Sequence, residues 1–337
     1  MILGGFPEQL WRSRAKRSAF LILALAALGT NIAAPPEPPP PGPAVASLTF
    51  EPVGLDESVP GRRRVGDLDF LAGWVLSSDS PRFGGLSSLH VENGEMTALS
   101  DSGTLFRFAL PTSHGREPLR IDPLGDGPGS PTRKSNRDTE SLVMRGPWIW
   151  VGFEKHNMIW RYRGADLGAA ASARPPLMRD WRANSGAEGM TRLADGRFLV
   201  FAEGPSNNDP LSDLILFDGD PADPRTPAAL LHYRRVPGYR VSDAATLPDG
   251  RLLILNRRFE WLEGFSLVVT IADPQAVRPG ATMESREVAR LQPPLTIDNM
   301  EGVSVTAENG RTIVWLVSDD NFFPLQRTLL LKFALVE

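Results

Sequence analysis

The sequence predicts an all-β protein built as a β-propeller, and three observations carry that prediction. The first is an internal repeat. Five stretches share one plan: a small or acidic lead residue, a short apolar strand, a polar turn and a second apolar strand. They are "GGLSSLHVENGEMTALSDSG", "DTESLVMRGPWIWVGFEKHN", "GAEGMTRLADGRFLVFAEG", "VSDAATLPDGRLLILNRR" and "NMEGVSVTAENGRTIVWLVSDDN". Their lead residues Ser87, Glu140, Glu188, Asp243 and Glu301 lie 53, 48, 55 and 58 residues apart, close to the period of propeller blades. The second is turn chemistry. Asn93-Gly94, Asp195-Gly196, Asp249-Gly250 and Asn309-Gly310 separate apolar runs, and such pairs favour tight hairpins because they tolerate positive φ. The third is the number of short β-rich runs, such as "TLFRFAL", "LILFD", "SLVVTIA" and "TLLLKFALV". Only "DLGAAASA" hints at helical periodicity.

Taken in chain order, the N-terminus opens with a basic stretch (Arg12, Arg14, Lys16, Arg17). The apolar run "AFLILALAALG" and the small residues "NIAA" follow. That order is a signal peptide over residues 1–34, with cleavage near Ala33 or Ala34. An uncleaved anchor in an inner membrane is the alternative, and it would be the chain's only membrane contact. "PPEPPPPGP" then makes residues 35–45 a stiff polyproline spacer. The expected propeller domain spans 46–337. Five blades are counted directly. The remainder at the two ends is too long for one blade and too short for two, so five or six blades fit, with N- and C-terminal strands closing the ring. A periplasmic or secreted monomer is expected.

Composition excludes several function classes. The chain has no cysteine, which removes disulfides, thiolate nucleophiles and Cys-ligated zinc. A net charge of −4 without a basic cluster argues against nucleic-acid binding. No serine sits in a Gly-x-Ser-x-Gly elbow. The tryptophans Trp148, Trp150, Trp160 and Trp315 alternate as strand residues do, which suits packing between blades better than a sugar platform.

In a propeller the first strand of each blade lines the central channel, so the lead residues should form one ring. The second strands end 13–18 residues later at Asp101, Glu154, Glu203, Asn256 with Arg257, and Asp319 with Asp320, which the hairpins return to the same face. Crowded carboxylates repel unless a cation neutralises them, and calcium, with its oxygen-rich shell, fits best. The metal set read from the sequence is Glu140, Glu188, Asp243, Glu301, Glu203 and Asp319. Glu188, Glu301 and His156 are the catalytic candidates, a glutamate serving as general base. Arg257, Arg258 and Lys155 are the candidates for holding an anionic ester or phosphoester substrate. Each acid has a second reading, in which it ties neighbouring blades through backbone amides.

The segments "FGGLSSL", "DTESLV", "GAEGM", "SDAATLPDGRLLILNRR" and "NMEGVSV" resemble the bacterial phytase-like family known for the esterase-like activity of phytase. The resemblance covers about residues 66–335. It implies an exported propeller and, by the family's name, hydrolysis of a phosphoester or related ester. The "RHGxRxP" segment of histidine acid phosphatases and the "DDPA" strings of calcium-dependent propeller phytases are absent. Two other readings use the same acidic face: a non-enzymatic propeller that binds a ligand or an envelope partner, and a lactonase-type hydrolase.

Overall fold

The computed structural model describes residues 42–130, 133–183, 185–204 and 209–336. The expected signal peptide and most of the expected spacer lie outside the described residues. The first strand begins at Ala44, two residues before the expected start of the domain. Among the described residues no helix is long and apolar enough to cross a membrane.

Five blades are arranged in sequence order. Blade 1 contains Leu86–Glu92, Glu95–Ser100, Thr104–Ala109 and Gly115–Pro123; blade 2 contains Thr139–Arg145, Trp148–Phe153, Met158–Arg163 and Ala169–Ala173. Blade 3 contains Ala187–Arg192, Phe198–Ala202, Leu211–Phe217 and Ala228–Arg234, with the short strand Thr282–Met283 added parallel at its rim. Blade 4 contains Arg240–Thr246, Leu252–Glu260, Gly264–Ala272 and Ser285–Leu291. Blade 5 takes three strands from the C-terminus (Asn299–Glu308, Arg311–Asp319, Thr328–Leu335) and its outer strand, Leu68–Ser78, from the N-terminal side. The first strands of the blades stand side by side around the channel, and the ring closes between blades 5 and 1.

The blade number is therefore five. The residues that left a sixth blade open are used twice at the seam. Leu68–Ser78 completes blade 5, and Ala44–Pro52 pairs with that strand on one side and with Gly115–Pro123 of blade 1 on the other. Two blades thereby become one continuous sheet.

The second strands are apolar throughout because both of their faces are buried. Side chains alternate across a strand, so Phe198 and Val200 pack towards blade 2 while Leu199 and Phe201 pack towards blade 4. The described residues form five hydrophobic clusters, one for each blade interface. Trp150 fills the interface of blades 2 and 3, and Trp315 that of blades 5 and 1. The hairpin turns carry the expected strain-free signature: Asn93-Gly94 at φ 52° and 79°, Asn309-Gly310 at 51° and 74°.

Candidate functional site

Every first strand breaks register at one residue. The bulged residues are Ser87, Glu140, Glu188, Ser242 and Glu301. A bulge re-aims one side chain out of the pleat and is common beside functional sites. In blade 4 the bulge falls on Ser242, one residue ahead of the expected lead Asp243. The two serines bond to the next blade: Ser87 Oγ donates to the Thr139 carbonyl at 2.7 Å and Ser242 Oγ to the Met300 carbonyl at 3.0 Å. The three glutamates face the mouth of the channel.

Glycine follows two of these glutamates for a steric reason. A Cβ on Gly189 would lie 3.1 Å from the Ala244 nitrogen in blade 4. One on Gly302 would lie 2.9 Å from Ser88 Cα in blade 1. Only a residue without a side chain lets neighbouring first strands approach this closely.

Around the bulges, each blade has three equivalent positions at the mouth end: the bulged residue, the residue two before it, and the residue that follows the pairing partner in the second strand; where the bulge is Ser87 or Ser242, that side chain is turned to the next blade instead. In blade 2 these are Glu140, Asp138 and Glu154. One carboxylate oxygen from each lies within 4.8 Å of the other two. In blade 4 they are Ser242, Arg240 and Arg257, and in blade 5 Glu301, Asn299 and Asp319. Blades 1 and 3 give Asp101, Glu188 and Glu203 to the same space. The resulting cavity is about 450 Å³ and holds eight carboxyl groups and the Arg257 guanidinium.

Crowding and burial set the charge states. Glu140 is pushed well above the ordinary carboxyl range by burial, then by Glu301 and Glu154. Glu188 is pushed up in the same way by burial, then by Glu140 and Glu203. Burial and then Asp138 raise Glu154 to about 7, partly opposed by a hydrogen bond with Glu188, a contact that requires a shared proton. Glu301 also rises to about 7 through burial. The Arg257 guanidinium at 3.2 Å and the Asn299 Nδ2–H donor at 2.9 Å hold it down. Asp319 reaches about 8, raised by burial and lowered by the Asn321 amide. Asp101 is raised by burial against the pull of Lys134, whose Nζ is 2.9 Å away.

The sequence-predicted residues separate into three groups. Glu140, Glu188, Glu203, Glu301, Asp319 and Arg257 come together in the cavity. Arg257 contacts Glu301, Glu203 at 3.7 Å and Asn299 at 3.0 Å. Its guanidinium is thus committed to the acids, and four glutamates outweigh the burial that opposes its charge. Arg258 lies next door, paired with Glu260 and Glu263 and stacked on Tyr239. Lys155, His156 and Asp243 do not line the cavity. Lys155 is exposed, and His156 contacts Asn136 at 3.0 Å. Asp243 is buried beneath the mouth. It accepts hydrogen bonds from the Val303 and Ala244 amides (2.9 and 2.8 Å) and the Ser88 hydroxyl (3.3 Å), pinning blades 4, 5 and 1 together.

A second cavity of about 570 Å³ adjoins the first and shares Glu203, Arg257 and Phe259 with it. Its walls include Arg235, Arg240, Arg257, Arg258 and Tyr239. The mouth is therefore two-sided, acidic over blade 2 and rich in arginine over blade 4. Sequence reasoning missed Asp138 and Arg240. The repeat itself held the signal, two residues ahead of each bulge.

Fold and site together define a five-bladed propeller whose channel mouth is lined by carboxyl groups and an arginine. More specifically, the chain belongs to the phytase-like family, described as having the esterase-like activity of phytase, which matches residues 81–322. No curated protein matches the chain. Among solved structures, the Myxococcus xanthus glutaminyl cyclase is similar at a TM-score of 0.45 and 12% identity, covering 80% of this chain and 97% of that one. A luciferin-regenerating enzyme is similar at 0.42 and 10%, covering 88% and 98%. Regucalcin from Agrobacterium tumefaciens, a calcium-binding protein, is similar at 0.40 and 9%, covering 77% and 94%. Likenesses this distant say nothing about chemistry.

Proposed function

We propose that the mouth hydrolyses a phosphoester or related ester with the help of a divalent cation, calcium being the best fit, held by Asp138, Glu140 and Glu154. One observation carries this reading: all three mouth positions of blade 2 are carboxylates, with one oxygen from each within 4.8 Å of the other two. Oxygen-only donors at that spacing suit a hard cation, and Glu140 is raised by neighbours that a cation would offset. When bound, such an ion polarises a phosphoryl or acyl oxygen and acidifies water.

The remaining chemistry belongs to the chain's own side chains. Glu301, poised near neutrality at about 7, is the general base for the attacking water. Arg257 and Asn299 fix its orientation from 3.2 and 2.9 Å. Glu188 retains a proton beside Glu154 and can deliver it to the leaving oxygen. Two carboxyl groups driven to different protonation states in this way form an acid–base pair. The arginine side of the mouth draws the anionic part of the substrate, which favours a phosphoester over a neutral lactone. We place the protein outside the cytoplasm, in the periplasm or secreted, on the strength of the signal-peptide pattern in its sequence.

Calcium calorimetry on the full-length protein and on Glu140→Gln tests the site, together with initial rates on aryl phosphate monoesters, diesters and a lactone. The expected result is stoichiometric binding weakened at least about 10-fold by Glu140→Gln, and hydrolysis abolished in Glu301→Gln with calcium binding kept. Binding without turnover of any ester would favour the ligand-binding reading. No binding and no turnover would leave the acids as blade ties.

A further inference from the structure

Eleven large apolar side chains are exposed among the described residues, and six of them sit at two hairpin tips, Phe259 at the end of a strand and the other five in the turns. Phe259, Trp261 and Leu262 (49%, 66% and 99% exposed) form the tip between the second and third strands of blade 4. Phe322, Phe323 and Leu325 (46%, 41% and 68%) occupy the corresponding loop of blade 5. Both loops leave the ends of second strands that face the mouth. Phe259 and Asn321, one from each tip, line the acidic cavity itself, so the apolar rim is continuous with the site.

Neither loop is a loose surface excursion. Phe259 packs on Trp261 and Phe265 with ring centroids 5.7 and 4.8 Å apart. Asn321 and Phe322 are consecutive residues at φ 49° and 50°. Positive φ is costly for a bulky aromatic, and such strain gathers at ligand-contacting segments. Two carboxylates hold the strained pair. Asp319 accepts the Asn321 amide at 2.6 Å, and Asp320 accepts the Phe322 amide at 3.1 Å. Asp319 therefore both orders the apolar loop and borders the polar mouth. Lys134, paired with Asp101, lies 5.3 Å over the Phe322 ring.

We propose that this rim seats the mouth on a lipid surface, so that the ester taken by the site is the headgroup ester of an amphiphile presented from that surface. Tryptophan, phenylalanine and leucine at loop tips are side chains that partition into the interfacial layer of a bilayer, and a nearly bare leucine at the outermost point fits insertion. Contiguous exposed apolar surface of this kind marks an interaction site. Arg240, paired with Glu203 at 2.8 Å, and Arg258, paired with Glu260 and Glu263, sit just inside the rim, where a phosphate headgroup would compete with those carboxylates for them. The catalytic half of this inference rests on the hydrolase reading above, whereas the docking half does not.

The test adds vesicles of phosphatidylcholine, with and without phosphatidic acid, to the protein after removal of the expected signal peptide, residues 1–34, and follows co-sedimentation and tryptophan emission. Wild type should sediment with vesicles and show a blue shift. Trp261→Phe should keep the sedimentation and lose most of the shift, and Trp261→Ser/Leu262→Ser should lose both while melting normally. In parallel, methyl, hexyl and dodecyl 4-nitrophenyl phosphates are compared as substrates, below and above micelle formation. A rate that climbs at least about 10-fold once the dodecyl ester forms micelles, and not in the double variant, fits a surface-seated mouth. No vesicle binding overturns the proposal, as does tight binding of monomeric dodecyl ester alone, which would assign the rim to a free amphiphile. A concentration-dependent dimer in sedimentation velocity, abolished by the double variant, would assign it to a second copy and also overturn it. Vesicle binding without hydrolysis of any ester leaves the docking surface standing and removes the hydrolase reading.

Discussion

Blades 2 and 4 have the same first hairpin and the same bulge, yet at equivalent points one presents Asp138, Glu140 and Glu154 to the mouth and the other Arg240 and Arg257, its bulged Ser242 bonding instead to blade 5. The backbone repeat fixes where a side chain emerges, and the residue at that point fixes the chemistry. Opposite charge at equivalent points turns a symmetric ring into a polar cleft with a cation side and an anion side. Blade 4 shows a further separation one residue along the strand. Asp243, just past the bulge, is turned into the structure and ties three blades, whereas carboxylates at the bulge reach the cavity.

If the contrast between blades 2 and 4 is what holds the mouth together, removing the blade 4 charge should have the largest effect. Arg257→Met leaves Glu301 without its guanidinium, while Glu203 keeps Arg240 at 2.8 Å, and loss of one member of a buried ion pair costs about 3–5 kcal/mol. Urea unfolding should show that loss near pH 8 and a smaller one near pH 5, where the acids can protonate instead. Asp243→Asn comes next. Exchanging a buried acceptor of two amides and a hydroxyl should cost about 2 kcal/mol yet leave calcium affinity within about 3-fold of wild type, because Asp243 lies outside the cavity. A calorimetric loss of calcium binding in Asp243→Asn would break the separation between bulge and post-bulge acids.

The pH dependence sharpens the same contrast. Glu154 and Glu301 at about 7 and Asp319 at about 8 bind protons more tightly in the folded chain than in the unfolded one. Folding is therefore favoured while these groups keep their protons. That advantage fades as pH climbs from the ordinary carboxyl range through 7 and 8. In EDTA the melting temperature should fall between pH 5 and pH 8.5 by at least about 3 °C, and calcium should recover most of the fall at the alkaline end. A metal-free melting temperature that rises over this window would contradict the crowding. Smallest of all, Ser242→Ala removes one hydrogen bond to blade 5 and should cost about 1 kcal/mol or less, with calcium affinity unchanged by calorimetry.

Much of this was legible in the residues. The period of the leads, the Asn-Gly turns and the apolar second strands announce blades because they follow from hairpin geometry and two-sided burial, both local properties. The register of blade 4 was not legible. "VSDAAT" offers a serine and an acid side by side, and only pairing with the second strand decides which of them bulges. Asp138 and Arg240 escaped notice because they stand before the apolar run, and their place in the repeat, two residues ahead of the bulge, shows only once the bulge is known. The sixth blade stayed open because Ala44–Pro52 belongs to no blade of its own; its place between two outer strands depends on partners far away in sequence. Neutralisation of Arg257 by Glu301 and Glu203 is likewise a contact between blades, invisible within either repeat.

The seam also dictates when folding can finish. Leu68 lies opposite Leu335 and Leu76 opposite Thr328, so the outer strand of the last blade is synthesised first and must wait for almost the whole chain before it gains its partner. Contacts of such sequence separation are slow to form. Blade 1 can be sealed early by Ala44–Pro52, but the ring stays open, with one edge of Leu68–Ser78 unpaired, until the final strand arrives. Arrival of Thr328–Leu335, more than completion of any single blade, is the event that closes the ring.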